Sequence, residues 1–199
     1  MAAPSIFLVR HGKTHKDLHK RYLGWTDVPL SEEGRDQALA LGRAFSSFHF
    51  AQIVSSDLAR ASTTAEIIAR MQKGAVRTNL GLREINLGAW EGLAFSEIRE
   101  RFPEEFNRRG RDLTGYRPPG GENFRDLAHR VVPIFQELVS QAEGPLLLVS
   151  HIGVIRVILA QVLGLPLENI FRIDHDYGAY SLIQARDSGL RLISHNLKP

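Results

Sequence analysis

Short apolar runs alternate with amphipathic helical segments along the 199 residues of this chain, and this alternation limits the fold more than any other feature. Runs such as Ser5–Arg10 and 145–149 are rich in Ile, Leu and Val and are too short for buried helices. Strands that alternate with helices pair in parallel and place the helices on both faces of the sheet. The sequence therefore predicts an α/β fold, a three-layer α/β/α sandwich with a mostly parallel central sheet.

The predicted elements follow this alternation except in one long segment. Residues 79–125 carry seven glycines and three prolines and show no regular period. Long irregular insertions in compact domains are commonly functional. We therefore expect residues 1–199 to form a single domain with a lid-like insertion at about 79–125, irregular or helical, that lies over the functional site. Strands are predicted at 5–10, 53–54, 76–78, 145–149, 170–174, 179–184 and 190–194, and helices at 31–48, 57–71, 122–142 and 152–163.

Composition excludes several classes of function. The chain has no cysteine, which rules out disulfides, thiol nucleophiles, iron–sulfur clusters and thiolate zinc sites. A net charge of +3 with acids interspersed argues against a nucleic-acid binder. The most apolar stretch, 146–167, contains His151 and Arg156, and Arg10 and His11 interrupt the N-terminal run too early for a secretory signal. We expect a cytoplasmic protein without nucleic-acid or membrane partners, its oligomeric state open and a homodimer included.

One strand–His–Gly layout occurs twice in the sequence. Residues 8–12 read LVRHG and residues 148–153 read LVSHIG, so an apolar run ends at a histidine that a glycine soon follows. Ligands of open parallel sheets bind beyond the carboxyl ends of the strands. The repeat therefore predicts that His11 and His151 face one another across one pocket. For either histidine alone, a hydrogen bond to a loop is the simpler interpretation.

Two arginines suggest that the ligand of this pocket is a phosphate. Arg10 precedes the first histidine, and Arg60 falls in the first turn of the helix after the second strand. Guanidinium groups match phosphate oxygens, and two of them with a histidine cation would neutralise a dianion. The chain lacks both glycine-rich phosphate motifs, G-x-x-x-x-G-K-[ST] and a strand-linked G-x-G-x-x-G. Side chains are therefore expected to hold the phosphate, namely Arg10, Arg60 and His151.

Five ordered motifs resemble the histidine phosphatase superfamily, whose fold is the phosphoglycerate-mutase-like fold. This resemblance, over about residues 6–183, implies that His11 is a nucleophile that becomes a phosphohistidine and that Glu84 is the proton donor. It also implies that Arg10, Arg60 and His151 hold the phosphoryl oxygens, with no metal and no cofactor. The motifs are LVRHG at 8–12, SSDLARASTTAEIIA at 55–69, LREINLGAWEG at 82–92, PPGGE at 118–122 and LLLVSHIG at 146–153.

The chemistry of phosphoryl transfer agrees with those assignments. A neutral imidazole attacks well when its other nitrogen is held by a hydrogen bond that fixes the tautomer. Gly12 would let the backbone approach closely enough to accept that bond. Glu84 would protonate the departing alkoxide and then act as base toward water. Without the motif around it, Glu84 would be read as the partner of Arg83 or another arginine.

The loop after His11 supplies weaker candidates. Arg21 either reaches substrate or phosphate, or braces the loop through an ion pair with Asp27. The rings of Tyr22, Trp25 and Trp90 either stack on a flat base or belong to the core. The hydroxyl of Thr63 either contacts substrate or packs on its helix. The candidate substrate-binding residues are Arg21, Tyr22, Gly24, Trp25 and Thr63.

Two positions in this chain depart from the sequence pattern of the family. The family commonly has Glu or Gln at position 13 and Asn at position 17, where this chain has Lys13 and Asp17, so no role is assigned to position 17.

Two other groups of residues contain side chains that can bind metal. His15 and His19 have the spacing of metal ligands, but the chain offers no H-E-x-x-H pattern. Residues 174–176 (DHD) are interpreted as a solvated turn, and metal binding is not predicted. A basic stretch, Arg108, Arg109, Arg111 and Arg117, either attracts an anion or forms a solvated face.

The function favoured by these features is hydrolysis of a small phosphomonoester. Segments 21–31, 86–92 and 118–123 resemble alpha-ribazole phosphatases, which implies alpha-ribazole 5′-phosphate as a substrate. Gly24, Trp25 and Asp27 also resemble the mutases, so phosphoglycerate mutase-type transfer is one alternative. A phosphate-binding module of the same fold without catalysis is the other. The chain is shorter than typical mutases, which favours transfer of the phosphoryl group to water.

Overall fold

A six-stranded sheet forms the centre of the molecule. The computed structural model describes residues 4–14 and 21–199. Its strands lie in the order β3-β2-β4-β1-β5-β6. The first four are parallel to one another and β5 and β6 are antiparallel, so the predicted mostly parallel sheet is confirmed. The strands are β1 Ser5–Arg10, β2 Gln52–Ser55, β3 Val76–Thr78, β4 Leu146–Ser150, β5 Tyr180–Arg186 and β6 Gly189–Leu197.

Helices cover both faces of this sheet because side chains alternate between its faces along each strand. Phe7 and Val9 of β1 pack in the core beneath α1 and α2, whereas Ile6 and Leu8 pack in the core beneath α5 and α6. The predicted α/β/α sandwich is therefore confirmed. The helices are α1 Glu32–Ala44, α2 Ala59–Gln72, α3 Phe95–Arg101, α4 Pro103–Arg111, α5 Phe124–Ser140 and α6 Ile152–Leu163.

The 79–125 segment, which was expected to be irregular or helical, contains several short helices. It holds α3, α4 and two short 3-10 helices, Leu80–Leu82 and Gly88–Trp90. Trp90 is fully buried among Leu82, Leu87 and Ile98, so the segment contributes to the core beside α5. One of its polar side chains also stabilises the start of α5, since Asn123 caps the helix and accepts from the Asp126 amide at 2.9 Å.

One predicted strand is wrong, and several boundaries move. Residues 170–174 belong to a 3-10 helix, Leu167–Arg172, and a loop, because β5 already occupies the edge of β1. Ile170 and Ile173 are buried three residues apart, which is a helical spacing. Ser31 caps α1 as predicted, but the helix ends at Ala44 rather than 48. Within the described part of the chain, no helix is long and apolar enough to cross a membrane.

Candidate active site

The parallel pairing of β1 and β4 brings the two strand-end histidines together. Arg10 is in register with Ser150, so the residues that follow them, His11 and His151, leave the sheet side by side. Their ring centroids lie 5.1 Å apart, and both side chains are buried. The predicted juxtaposition of the two imidazoles, 140 positions apart in the chain, is thus observed. Arg60 joins them from the first turn of α2.

The tautomer of His11 is fixed by the backbone. Nδ1 donates to the carbonyl oxygen of Gly12 at 2.7 Å, because a carbonyl can only accept. Nε2 therefore keeps its lone pair. Burial, followed by the charges of Arg60 and Arg10, lowers the pKa of His11 well below 6.5, so the ring is neutral at pH 7. A Cβ on Gly12 would lie 2.2 Å from the Gly34 carbonyl oxygen, which explains the glycine.

A threonine holds the backbone beside His11, but it is not the predicted one. The amide of Gly12 donates to Oγ1 of Thr64 at 3.1 Å, and that hydroxyl donates to the Arg60 carbonyl oxygen at 2.8 Å. Thr64 is fully buried, whereas Thr63 is absent from the described residues that line the cavity. The helical periodicity of α2 could have separated them, since Thr64 lies four residues after Arg60 on the same face.

Arg10 is held against a tyrosine that the sequence did not single out. Its Cζ lies 3.6 Å from the ring centroid of Tyr177, and Nη1 donates to the His175 carbonyl oxygen. Its Nε is buried and has no hydrogen-bond partner in the described residues. The ring of Tyr177 also lies 5.4 Å from that of His11. No local motif marks Tyr177, because it reaches the site only through the packing of the loop before β5.

The guanidinium of Arg60 uses part of its hydrogen-bonding capacity on the protein backbone. It is only 2% exposed and donates to the carbonyl oxygens of Leu23, Gly24 and Thr26 at 3.1, 2.7 and 2.9 Å. A guanidinium has five N–H donors, so about two remain for a ligand. Arg60 thus fixes the 23–26 loop at the cavity wall.

Glu84 is held by the start of α6 rather than by an arginine. Its Oε2 accepts from the Gly153 amide at 3.1 Å, and Oε1 accepts from the Ile85 amide at 2.9 Å. A Cβ on Gly153 would lie 2.2 Å from Oε1, so the carboxylate fits only because residue 153 is glycine. Arg83, the alternative partner of Glu84, pairs with Asp57 instead.

His151 is a neutral ring with no hydrogen bonds of its own in the described structure. Both its ring nitrogens are buried without a partner. Burial and the charges of Arg60, His11 and Arg10 lower its pKa well below 6.5. These surroundings favour the neutral ring over the histidine cation that was expected beside a phosphate dianion. A neutral His151 can donate one hydrogen bond to a phosphoryl oxygen and supplies no full charge.

These groups border a cavity of about 470 Å³ at the carboxyl edge of the sheet. His151 lies against His11 and is not itself part of the lining. The described residues that line the cavity are Arg10, His11, Thr14, Arg21, Tyr22, Leu23, Gly24, Arg60, Glu84, Ile85, Leu87, Phe95, Arg109, Leu113, Tyr116, Pro118, Glu122, Phe124, Ile152, Gly153, Arg156, Phe171 and Tyr177.

The weaker candidates have mixed positions. Arg21, Tyr22 and Gly24 line the cavity, and Arg21 pairs with Glu97 rather than Asp27. Trp25 lies outside the lining, and its Nε1 donates to the Glu84 carbonyl oxygen at 2.7 Å, so it supports the backbone at Glu84. Trp90 is core.

The four arginines of the basic stretch lie in two different parts of the structure. Arg109 lines the cavity, with its Cζ 5.2 Å from the Tyr22 ring centroid. The other three arginines, Arg108, Arg111 and Arg117, border a second, open depression on the outside of the insertion.

Residues 174–176 are only in part the solvated turn that was expected. The two aspartates are exposed, but His175 is buried and its Nε2 lies 3.1 Å from Oγ of Ser181. Asp174 pairs with Arg156, and Asp176 pairs with Lys198. The described residues contain no cluster of three or more acidic or histidine side chains arranged for a metal.

Several predictions concern residues next to or within 15–20, a range that lies outside the described residues. Lys13 pairs with Glu33 at 2.7 Å. Asp17 and the two histidines with metal-ligand spacing, His15 and His19, lie outside the described residues.

The fold and the site together define a class of α/β proteins that present paired imidazoles, two guanidiniums and a carboxylate at one sheet edge. Comparison with known proteins places the chain within that class. The chain belongs to the histidine phosphatase superfamily (branch 1), whose family model matches residues 6–198.

Relatives of known name include phosphatases and a mutase. Glucosyl-3-phosphoglycerate phosphatase of Mycolicibacterium vanbaalenii is 34% identical over 177 residues, which cover 85% of this chain and 78% of that protein. The 2,3-bisphosphoglycerate-dependent phosphoglycerate mutase 2 of Gloeobacter violaceus is 36% identical over 178 residues, covering 86% and 81%. The close relatives thus include both a phosphate-releasing and a phosphate-transferring activity.

Solved structures agree with this assignment. The mycobacterial glucosyl-3-phosphoglycerate phosphatase superposes with a TM-score of 0.88 at 30% identity, covering 98% of this chain and 100% of that one. The alpha-ribazole phosphatase of Shigella flexneri superposes with a TM-score of 0.90 at 26% identity, covering 97% and 96%.

Proposed function

We propose that this protein hydrolyses a small phosphomonoester through a phosphohistidine on Nε2 of His11. The observation that carries the proposal is the fixed tautomer of His11, whose Nδ1 donates to Gly12. A neutral ring with its Nε2 lone pair free is the form that can attack phosphorus.

Unpartnered polar atoms next to the nucleophile support a phosphoryl ligand. Few buried side-chain polar atoms in the described structure lack a hydrogen-bond partner, and three of them belong to Arg10 and His151. Buried polar groups left without partners are costly. A phosphoryl group beside His11 would accept from Arg10 Nε and from the single N–H of neutral His151, and would sit between the charges of Arg10 and Arg60.

The reaction then proceeds in two steps. Nε2 of His11 attacks phosphorus, the P–O ester bond breaks, and Glu84 gives its proton to the departing alkoxide. Water next attacks the phosphohistidine, the N–P bond breaks, and the Glu84 carboxylate takes a proton from that water. Inorganic phosphate leaves and neutral His11 is restored. The two guanidiniums supply the positive charge that stabilises the transferring group, so the proposed mechanism is metal-independent.

Release of phosphate from p-nitrophenyl phosphate, with and without EDTA, tests this proposal. We expect equal rates in both, and a loss of more than about 1,000-fold in His11→Ala. His129→Ala is the matched control, because His129 is an exposed histidine on α5 outside the cavity. Phosphate release that needs a metal, or that survives in His11→Ala, would contradict the mechanism.

Two other results would identify the alternatives. Interconversion of phosphoglycerate isomers without free phosphate would identify a mutase. Binding of inorganic phosphate without turnover of any ester would identify a non-catalytic binding module.

The identity of the physiological substrate is a separate part of the proposal. Alpha-ribazole 5′-phosphate is our first candidate, because of the three sequence segments that resemble alpha-ribazole phosphatases and the superposition with one of them. A role in cobalamin biosynthesis would follow from that substrate. The cytoplasmic location, the lack of nucleic-acid or membrane partners and the homodimer stay predictions from the sequence.

A further inference from the structure

The cavity is much larger than the phosphoryl group that the proposed function places in it. Its 470 Å³ correspond to roughly 16 water volumes at about 30 Å³ each. The phosphoryl site at His11, Arg10 and Arg60 accounts for a small part of that space. Most of the cavity is therefore available to the leaving group, and its walls indicate the chemistry of that group.

Two of the side chains that form those walls are large, apolar and exposed. Phe95 on α3 is 40% exposed and Leu113, just after α4, is 38% exposed. Both line the cavity and both belong to the insertion. Apolar side chains left exposed in a concave site are typical of ligand contacts. Four further aromatic rings line the same cavity, namely Tyr22, Tyr116, Phe124 and Phe171.

Two of the three cations that line the cavity away from the phosphoryl site are held in ion pairs, and the third, Arg109, lies with its Cζ 5.2 Å from the Tyr22 ring centroid. Arg21 pairs with Glu97, and Arg156 pairs with Asp174 and donates from Nε to the Ile173 carbonyl oxygen at 2.8 Å. A small polar leaving group such as glycerate would place hydroxyl and carboxylate oxygens against the apolar wall. Burial of polar atoms without hydrogen bonds costs free energy, so such a group fits this wall poorly.

We infer that the substrate is a phosphomonoester whose leaving group has an extended apolar or aromatic body, and that Phe95 and Leu113 select for it. This inference rests on the proposed function and adds the substrate class to it. Alpha-ribazole 5′-phosphate, with its flat base, belongs to the class, whereas 3-phosphoglycerate does not. Phe95 and Leu113 thus determine specificity and take no part in the chemical step.

A series of primary n-alkyl phosphates from ethyl to hexyl tests the inference, because the alkoxide leaving group stays alike while its apolar length grows. We expect kcat/KM to rise about fourfold for each methylene that enters the cavity. Hexyl phosphate should exceed 3-phosphoglycerate, and alpha-ribazole 5′-phosphate should exceed ribose 5-phosphate. Phe95→Ala and Leu113→Ser should lower the ratio of hexyl to ethyl kcat/KM about tenfold.

Matched variants separate selection from stability. Phe48 is 43% exposed and Leu165 is 37% exposed, and neither lines the cavity. Phe48→Ala and Leu165→Ser should keep the wild-type dependence on chain length, with the melting temperature of all four variants as the check on folding.

The outcomes fall into two groups. Phosphate release that does not depend on chain length, a preference for 3-phosphoglycerate, or equal losses in the two control variants would overturn the inference and leave the proposed function intact. Absence of phosphate release from every ester would overturn the proposed function itself.

Discussion

At the scale of single residues, a glycine of α6 packs directly against the proposed proton donor, Glu84. Gly153 donates its amide to Glu84, and there is no room for a methyl group between them. The neighbouring atom is the end of a flexible side chain, so an added methyl group would move the carboxylate before it disturbed the fold. The position of the proton donor therefore depends on a glycine in another element.

Gly153→Ala should consequently lower kcat by about 100-fold, because displacement of a catalytic group by about 1 Å has an effect of that order. The melting temperature should change little. Gly110→Ala on α4 is the control, since a Cβ there meets nothing within 4 Å. An unchanged kcat in Gly153→Ala would show that this contact does not place the carboxylate.

The residues of the site differ in how far the sequence could predict them. His11 and His151 stand in a repeated strand–His–Gly layout, so a local pattern and the geometry of parallel sheets were enough to bring them together. Thr64 and Tyr177 reach the site through the rotation of a helix and the path of a loop. Helical spacing from Arg60 could have indicated Thr64, whereas no local pattern encodes the path of the loop that carries Tyr177, and neither residue is among the predicted ones.

At the scale of elements, one arginine of α5 binds the loop that carries Glu84. Arg130 donates to the carbonyl oxygens of Gly81, Arg83 and Glu84 at 2.8, 3.0 and 3.2 Å. It also pairs with Glu122 at 2.7 Å. Arg130 does not line the cavity, so it acts on the reaction through the position of the loop.

Arg130→Ala should reduce kcat by about 10-fold to 100-fold with a smaller change in KM, since the loop places a reacting group rather than a binding surface. Arg130→Lys keeps the charge but loses the planar fork, and should recover little of the rate. Arg125→Ala is the control, because Arg125 lies on the same helix and its ion pair among the described residues, with Glu168, is exposed. Equal kcat in all three variants would contradict the positioning role.

The incorrect strand at 170–174 shows why elements are harder to predict than strand ends. Its apolar residues suit a strand as well as a short helix, and a strand needs a free neighbour in the sheet. β5 occupies that place, and β5 lies after the segment in the chain. Only the completed topology decides between the two structures.

At the scale of the whole molecule, buried histidines link stability to pH. Burial lowers the pKa of His175 to about 4. The unfolded chain, with a histidine pKa of about 6.5, binds more protons between those values. The neutral buried ring therefore contributes its full stability above pH 6.5 and loses it as the pH falls toward 4, by roughly 3 kcal/mol in all.

Urea unfolding at pH 7.5 and pH 5 should accordingly show a smaller loss of unfolding free energy in His175→Gln than in the wild type. His11 and His151 add to the loss in both proteins, so the difference between the two isolates His175. His129→Gln, at an exposed position, should match the wild type. An identical loss in all three proteins would mean that His175 is protonated in the folded state.

The register of β1 with β4 has a consequence for how the protein is made. During synthesis, residue 11 emerges from the ribosome long before residue 151. The elements α1 and α2, the insertion and α5 all emerge between them. Until the last quarter of the chain is synthesised, the proposed nucleophile lacks its second imidazole and the helix end that holds Glu84. On the proposed mechanism, nascent chains that lack β4 should be inactive toward phosphate esters, and the onset of turnover would report that β4 has been inserted into the sheet.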